Sequence, residues 1–180
     1  GEVFWTDFGQ HLALRQNLEA LLAEDERGRL TRALFNLPEA RDENGNRLVR
    51  AVVAEGADIR DALIVDAEIR APETLIHGGI VIGGSYGRIR MPQGGIAMFG
   101  TAGELDFDGP HAIAFQPVLL SLRLVEGGRH ATVLTQDGPL QLFTNEAITD
   151  YRGDAYTQPL DGNPVSFDEA ARLVDKTASA

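Results

Sequence analysis

The sequence contains no cysteine. That removes disulfides, zinc–thiolate centres and thiol nucleophiles from consideration, and it suits a reducing compartment. Basic residues are outnumbered: 16 Lys and Arg stand against 27 Asp and Glu, a formal net charge of −11. Nucleic acids and anionic membranes recruit proteins through basic patches, so neither is expected as a partner. A phosphate-bearing ligand would need locally placed arginines, backbone N–H groups or a metal to offset the overall field. No apolar run reaches the ~20 residues of a bilayer-spanning helix, and no signal peptide opens the sequence. The expectation is a cytoplasmic protein.

What is present is ordinary in amount: 180 residues, 43% apolar and 24% charged, enough for one domain or a small domain with an attachment. Helical periodicity is clearest at residues 10–27. Leu14, Leu18, Leu21 and Leu22 fall on one face, while Arg15, Gln16, Glu19 and the run Glu24-Asp25-Glu26 face outward. Gly28 reads as a C-cap, or as a link to a second short helix through Leu30, Leu34 and Phe35 that stops before Pro38. Asn44-Gly45 is a strong turn signal and places a boundary near residues 38–47.

From Val53 the spacing changes. Val53, Ile59 and Val65 recur every six residues, followed four places later by Ala57, Leu63 and Ile69. After Ala71-Pro72-Glu73 the phase resumes at Ile76 and Ile82. Hexads of this kind predict a left-handed parallel β-helix, with the first position of each filling the interior. An alternating strand also repeats at six, so antiparallel hairpins with glycine turns fit the same spacing. Beyond Gly94 the hexads fade. Strands are expected around Ala112–Phe115, Val118–Val125, Ala131–Leu134 and Leu140–Phe143, with turns at Gly127-Gly128 and Asp137-Gly138-Pro139. This antiparallel tail would cap the solenoid. Ser166-Phe167-Asp168-Glu169 is a capping-box signature for a terminal helix.

The segment Phe4-Trp5-Thr6-Asp7-Phe8-Gly9-Gln10, running into the Leu14–Leu22 helix, resembles the W-x-D-x-G segment that closes the catalytic domain of the sugar-1-phosphate nucleotidyltransferases. In that family a hexapeptide β-helix often follows, as the hexads do here. With the hexads and the strand signals beyond them, the expectation is a mainly β chain made of three parts. These are a helical segment over 1–47 ending a catalytic domain, a short left-handed parallel β-helix over 48–110, and a β-rich cap with a terminal helix over 111–180. The resemblance implies a complete enzyme that joins a nucleoside triphosphate to a sugar 1-phosphate, releases pyrophosphate and uses Mg²⁺. The N-terminal catalytic domain would lie upstream, and this region would serve assembly or effector response, inactive alone and homo-oligomeric.

By that resemblance Asp7 helps hold the Mg²⁺, with its partner Asp upstream; phosphoryl transfer needs such hard oxygen ligands. From the residues alone Asp7 also reads as a helix cap. Gln10 stands where the family usually has Thr.

Two rival readings stay open. His77, in Ile76-His77-Gly78-Gly79, sits where hexapeptide acyltransferases carry a general base, and a lone His beside glycines is also a common turn residue. A purely structural or interaction module would oligomerise without any small ligand. Gly78-Gly79…Gly83-Gly84-Ser85 lacks the Gly-Lys-Ser/Thr ending of a phosphate loop and reads as solenoid corners or turns. Glu104, Asp106 and Asp108 alternate like a calcium-loop fragment without its closing Glu, which reads as a solvated acidic turn. His111, His130 and the polar stretch from Thr144 to Tyr156 receive no assignment.

Overall fold

The structure is a computed structural model and describes residues 11–144 and 154–174. It begins with helix α1 (His11–Glu19), which tightens into a 3₁₀ turn (Ala20–Leu22), and continues with α2 (Glu26–Leu34). Eleven strands follow. Those of the first coils are β1 (Arg47–Val49), β2 (Val52–Val53), β3 (Asp58–Arg60), β4 (Leu63–Ile69) and β5 (Leu75–His77). Two long bent strands come next, β6 (Gly79–Met91) and β7 (Gly95–Phe107). The last four are β8 (Ile113–Phe115), β9 (Val118–Leu124), β10 (Arg129–Thr135) and β11 (Gly138–Thr144). Short helices α3 (Asp154–Thr157) and α4 (Phe167–Leu173) close the described chain.

The strands stack in parallel as a β-solenoid of about five turns. On one face the register runs Arg47–Leu63–Ile80–Ile96–Ile113–Arg129, giving six rungs whose equivalent residues lie 16 or 17 apart. A second face pairs β2 with the end of β4, and a third pairs β3 with β5. The long β6 and β7 run through both of these faces, and β9 extends them. Parallel pairing therefore continues well past residue 110. Instead of an antiparallel tail from Ala112, β8 and β9 lie parallel on β7, and β10 lies parallel on β8. Among the described residues only β10 and β11 form an antiparallel hairpin.

Two columns of left-handed residues turn each coil. One runs Gly45, Asp61, Gly78, Gly94, His111, Gly127; the other runs Arg50, Asp66, Gly83, Phe99, Gln116. Their backbones lock onto the coil before: the Gly78 N–H donates to the Arg60 carbonyl at 2.9 Å, and the Gly94 N–H to the His77 carbonyl at 2.8 Å. A non-glycine residue in this conformation is disfavoured, so such a column persists only where the stacked coils over-determine it. The glycine pairs that resembled a phosphate loop are corners of this kind.

Two apolar clusters result. Ile59, Ile64, Ile69, Ile76, Val81, Tyr86, Ile89 and Leu105 fill the interior. The opposite side of the first face, Leu63, Val65, Ile80, Ile96, Met98 and Ile113, points outward and is covered by Leu18 and Leu21 of the N-terminal helical segment. The hexad phase therefore misplaces some residues: Ile59 and Ile76 are interior as expected, but Val65 and Ile82 face the helix. The physical reason is coil length. A coil of 16 or 17 residues is not a multiple of six, so the face assignment drifts at each corner.

The single helix expected over 10–27 is interrupted at residues 23–25. Asp25 accepts a hydrogen bond from the Gly28 N–H at 2.8 Å and caps α2, so the acidic run marks a helix start, where negative charge suits the dipole. Gly28 is no C-cap. A Cβ there would stand 2.1 Å from the Ala23 carbonyl oxygen, so the close crossing of the 3₁₀ turn over α2 requires glycine. At the far end the capping box forms as expected: the Glu169 N–H donates to Ser166 Oγ at 3.1 Å, and the Ser166 N–H to Glu169 Oε2 at 2.9 Å. Phe167 and Ala170 of α4 pack on Leu142.

Candidate functional site

An apolar groove of about 510 Å³ lies beside the N-terminal helical segment. Its floor is part of the outward side of the first face, Val49, Val65, Ile82 and Met98; Leu14 and Leu18 form one wall. The other wall is the left-handed column, with Phe99 at φ 56° and half exposed. Its ring stands edge-on to Phe115 on the next rung, centroids 6.2 Å apart. At the rim Arg50 and Asp66 form a two-pronged ion pair, Nε to Oδ1 at 2.5 Å and Nη2 to Oδ2 at 2.7 Å. The pair neutralises itself and holds the Asp66 carboxyl below its ordinary range. The groove thus offers apolar surface and little charge, which suits an apolar protein segment better than a reacting group.

Of the sequence-predicted site residues, the described one, His77, does not line it. Asp7 lies outside the described residues. His77 ends β5 on the outer side of the third face, its side chain 33% exposed. Its Nε2 stands 3.1 Å from Asp58 Oδ2, off the line of a well-formed hydrogen bond. Asp58 is held first by Arg60, whose Nε donates to Oδ1 at 2.8 Å; that bond, then His77, keeps its carboxyl below the usual range against a desolvation that raises it. A His–Asp pair is the core of a general-base device, and here it lies on an open strand face away from the groove.

The acidic alternation at 104–108 has a simple partner. Arg88 Nη2 stands 3.3 Å from both Glu104 and Asp106, and Arg123 Nε 2.5 Å from Asp108. The acids belong to an ion-pair ladder across rungs. His111 Nδ1 meets Glu19 at 2.8 Å and ties α1 to the fifth rung. His130 is buried at the sixth, with Nε2 2.6 Å from Gln141 Oε1, and burial pushes its pKa down. Among the described residues no three His, Cys, Asp or Glu side chains gather as a metal site. The Mg²⁺ ligand that the resemblance implies, Asp7, is not among those residues. No described helix is long and apolar enough to cross a membrane.

Sequence reasoning missed the groove. Its signal was the 16–17-residue recurrence of Arg50, Asp66, Gly83, Phe99 and Gln116, which hexad phasing hides. No protein-family model, curated protein or solved structure matches this chain.

Proposed function

We propose that this chain is the C-terminal, non-catalytic region of a sugar-1-phosphate nucleotidyltransferase, with the solenoid serving subunit assembly and the groove receiving the rest of the enzyme. The observation that carries the reading is the apolar groove beside α1, the helix entered directly from the Trp5-Thr6-Asp7 segment. A domain joined through that segment is tethered next to the groove's own wall, where a high effective concentration favours docking. Many described ionisable groups support a scaffold role, because they are spent on ion pairs between rungs and with the helical segment. The purified 180-residue chain is expected to show no nucleotidyltransferase turnover with Mg²⁺, nucleoside triphosphates and sugar 1-phosphates. In the complete enzyme, Ile82→Asp with Met98→Asp is expected to release the docked catalytic domain from the solenoid, measured as a larger radius of gyration by small-angle X-ray scattering with the subunit number unchanged. Turnover by the chain alone overturns the reading, and an unchanged radius overturns the role of the groove.

The 3.1 Å approach of His77 to Asp58 favours one second reading, an acyltransferase in which His77 acts as general base. It requires acyl-CoA binding by the purified chain that His77→Ala weakens. Absence of acyl-CoA binding removes it.

A further inference from the structure

Three described arginines are almost completely buried: Arg32 and Arg47 at 1% exposure and Arg129 at 2%. A buried guanidinium is tolerable only when an anion and further acceptors meet it. Arg32 shows the complete arrangement. Its Nη1 donates to the carbonyls of Leu21 and Ala23 at 3.0 and 2.5 Å, and its Nε–Nη2 edge donates to Glu39 Oε2 at 3.1 and 2.6 Å. Arg47 has its acid too, Nη2 to Glu24 Oε1 at 2.8 Å.

Arg129 repeats the first half of that pattern. Its Nη1 donates to the Gly127 carbonyl. Its Nε and Nη2 are buried and meet no acceptor among the described residues. These two atoms form the guanidinium edge that grips two oxygens of one oxyanion, as the same edge of Arg50 grips Asp66. On α1, Arg15, whose charge acts on Arg129, has a buried Nε without a hydrogen-bond acceptor. The nearest acid, Glu19, stands 3.7 Å from that Nε and is engaged by His111 at 2.8 Å. Burial first, then the neighbouring Arg15 charge, lowers the pKa of Arg129, with Glu19 opposing. The charges of Arg15 and Glu19 both act on Arg129, and Glu19 is already engaged by Arg15 and His111.

We propose that Arg129 and Arg15 form a binding site for a small oxyanion between α1 and the sixth rung, gripped by the Nε–Nη2 edge of Arg129. Two positive charges match a dianionic phosphoryl group better than a single carboxylate. The proposal does not rest on the nucleotidyltransferase reading; it would hold equally in an unrelated scaffold.

The test is the thermal midpoint of the chain as inorganic phosphate replaces chloride at fixed ionic strength, with acetate as a parallel series. A saturable rise is expected with phosphate and a smaller one with acetate, since a ligand that binds only the folded state stabilises it. Acetate matching phosphate would name a carboxylate as the occupant and keep the site. Arg129→Lys is expected to weaken phosphate binding about tenfold by losing the fork. Arg129→Met is expected to abolish the response and, without phosphate, to unfold at a higher temperature than wild type. Should that variant fail to fold, Arg15→Gln, at a side chain 18% exposed, carries the same expectation of a reduced response. A wild-type midpoint indifferent to both anions, or an Arg129→Met response equal to wild type, overturns the site. So does an Arg129→Met chain that is less stable than wild type and unresponsive, which would mean that the chain's own carboxylates serve Arg129.

Discussion

The first and sixth rungs end the same outward column with the same residue type, and they treat it differently. At the first rung Arg47 is matched by Glu24, which also binds Arg41, and Arg41 reaches on to Asp61 at 3.3 Å. The turn before this rung is equally well satisfied. Asn46 accepts from the Ala62 N–H at 3.1 Å and donates to the Ile59 carbonyl at 2.9 Å, filling the corner below the first coil. At the sixth rung Arg129 lacks an acid among the described residues, and His130 Nδ1 is buried without a partner. One end has its guanidinium charges matched by Glu24, although the Nε atoms of Arg41 and Arg47 are buried there without an acceptor. The other carries the polar imbalance that proteins retain at sites of function more often than in pure scaffolding.

The largest expected effect breaks the first-rung joint. Glu24→Ala leaves Arg47 buried and uncompensated. The expected loss is about 3 kcal/mol in urea denaturation, at the low end for breaking a buried pair because the Glu24 side chain is 64% exposed. Glu19→Ala, the matching change at the other end, is expected to lose under about 0.5 kcal/mol, since its partner His111 is exposed. Equal losses at the two ends would erase the distinction drawn here.

Midway between the ends, Tyr86 is a reference for a satisfied buried polar group. Its hydroxyl donates to the Gly83 carbonyl and accepts from the Gly100 N–H, both at 3.1 Å. Tyr86→Phe strands both backbone groups and is expected to lose about 2 kcal/mol. Burial pushes the Tyr86 pKa up from 10.0 to about 12. Between those values the unfolded chain gives up its proton while the folded chain keeps it, so wild-type stability falls as pH rises through that window. The variant is expected to lack that slope.

Acid titration separates the two ends most finely. Burial lowers the His130 pKa below 6.5, so as pH falls from 6.5 the unfolded chain gains its proton first and stability declines. Glu24 is depressed below 4.5, chiefly by its bond to Arg47, so its contribution persists above 4.5 and is lost as pH falls through the folded value. Stability followed by denaturant midpoints should therefore decline in two stages. His130→Leu is expected to remove the upper one and spare the lower. A single acid transition in wild type would contradict this assignment.

Much of this was legible from residues alone. The leucine spacing marked α1, the six-residue recurrence marked a solenoid, and Ser166-Phe167-Asp168-Glu169 marked the capped helix α4. Three things were not. Asp25 outcompeted helix continuation, because a side-chain acceptor at the right offset satisfies the N-terminal N–H groups of α2. The parallel course of β8 to β10 was hidden because strand direction is a property of stacking, and Gly127-Gly128 turns a coil as readily as a hairpin. Arg129 drew no notice because arginine is ordinarily a surface residue, and its burial here arises only from tertiary packing.

The helical segment is fastened at two heights, by Glu24 to Arg47 on the first rung and by Glu19 to His111 on the corner of the fifth. Repeat proteins ordinarily gain and lose units by gene duplication or deletion, because each coil needs only its neighbours. Here a duplicated or excised coil between those fastenings would change their separation by about 4.8 Å, one strand spacing, and leave one of them out of reach. The two clasps thus count the coils. In evolutionary terms this solenoid is closed to the easiest change its architecture permits, and lineages of it are expected to vary in sequence and in the end beyond the sixth rung while keeping the same number of turns.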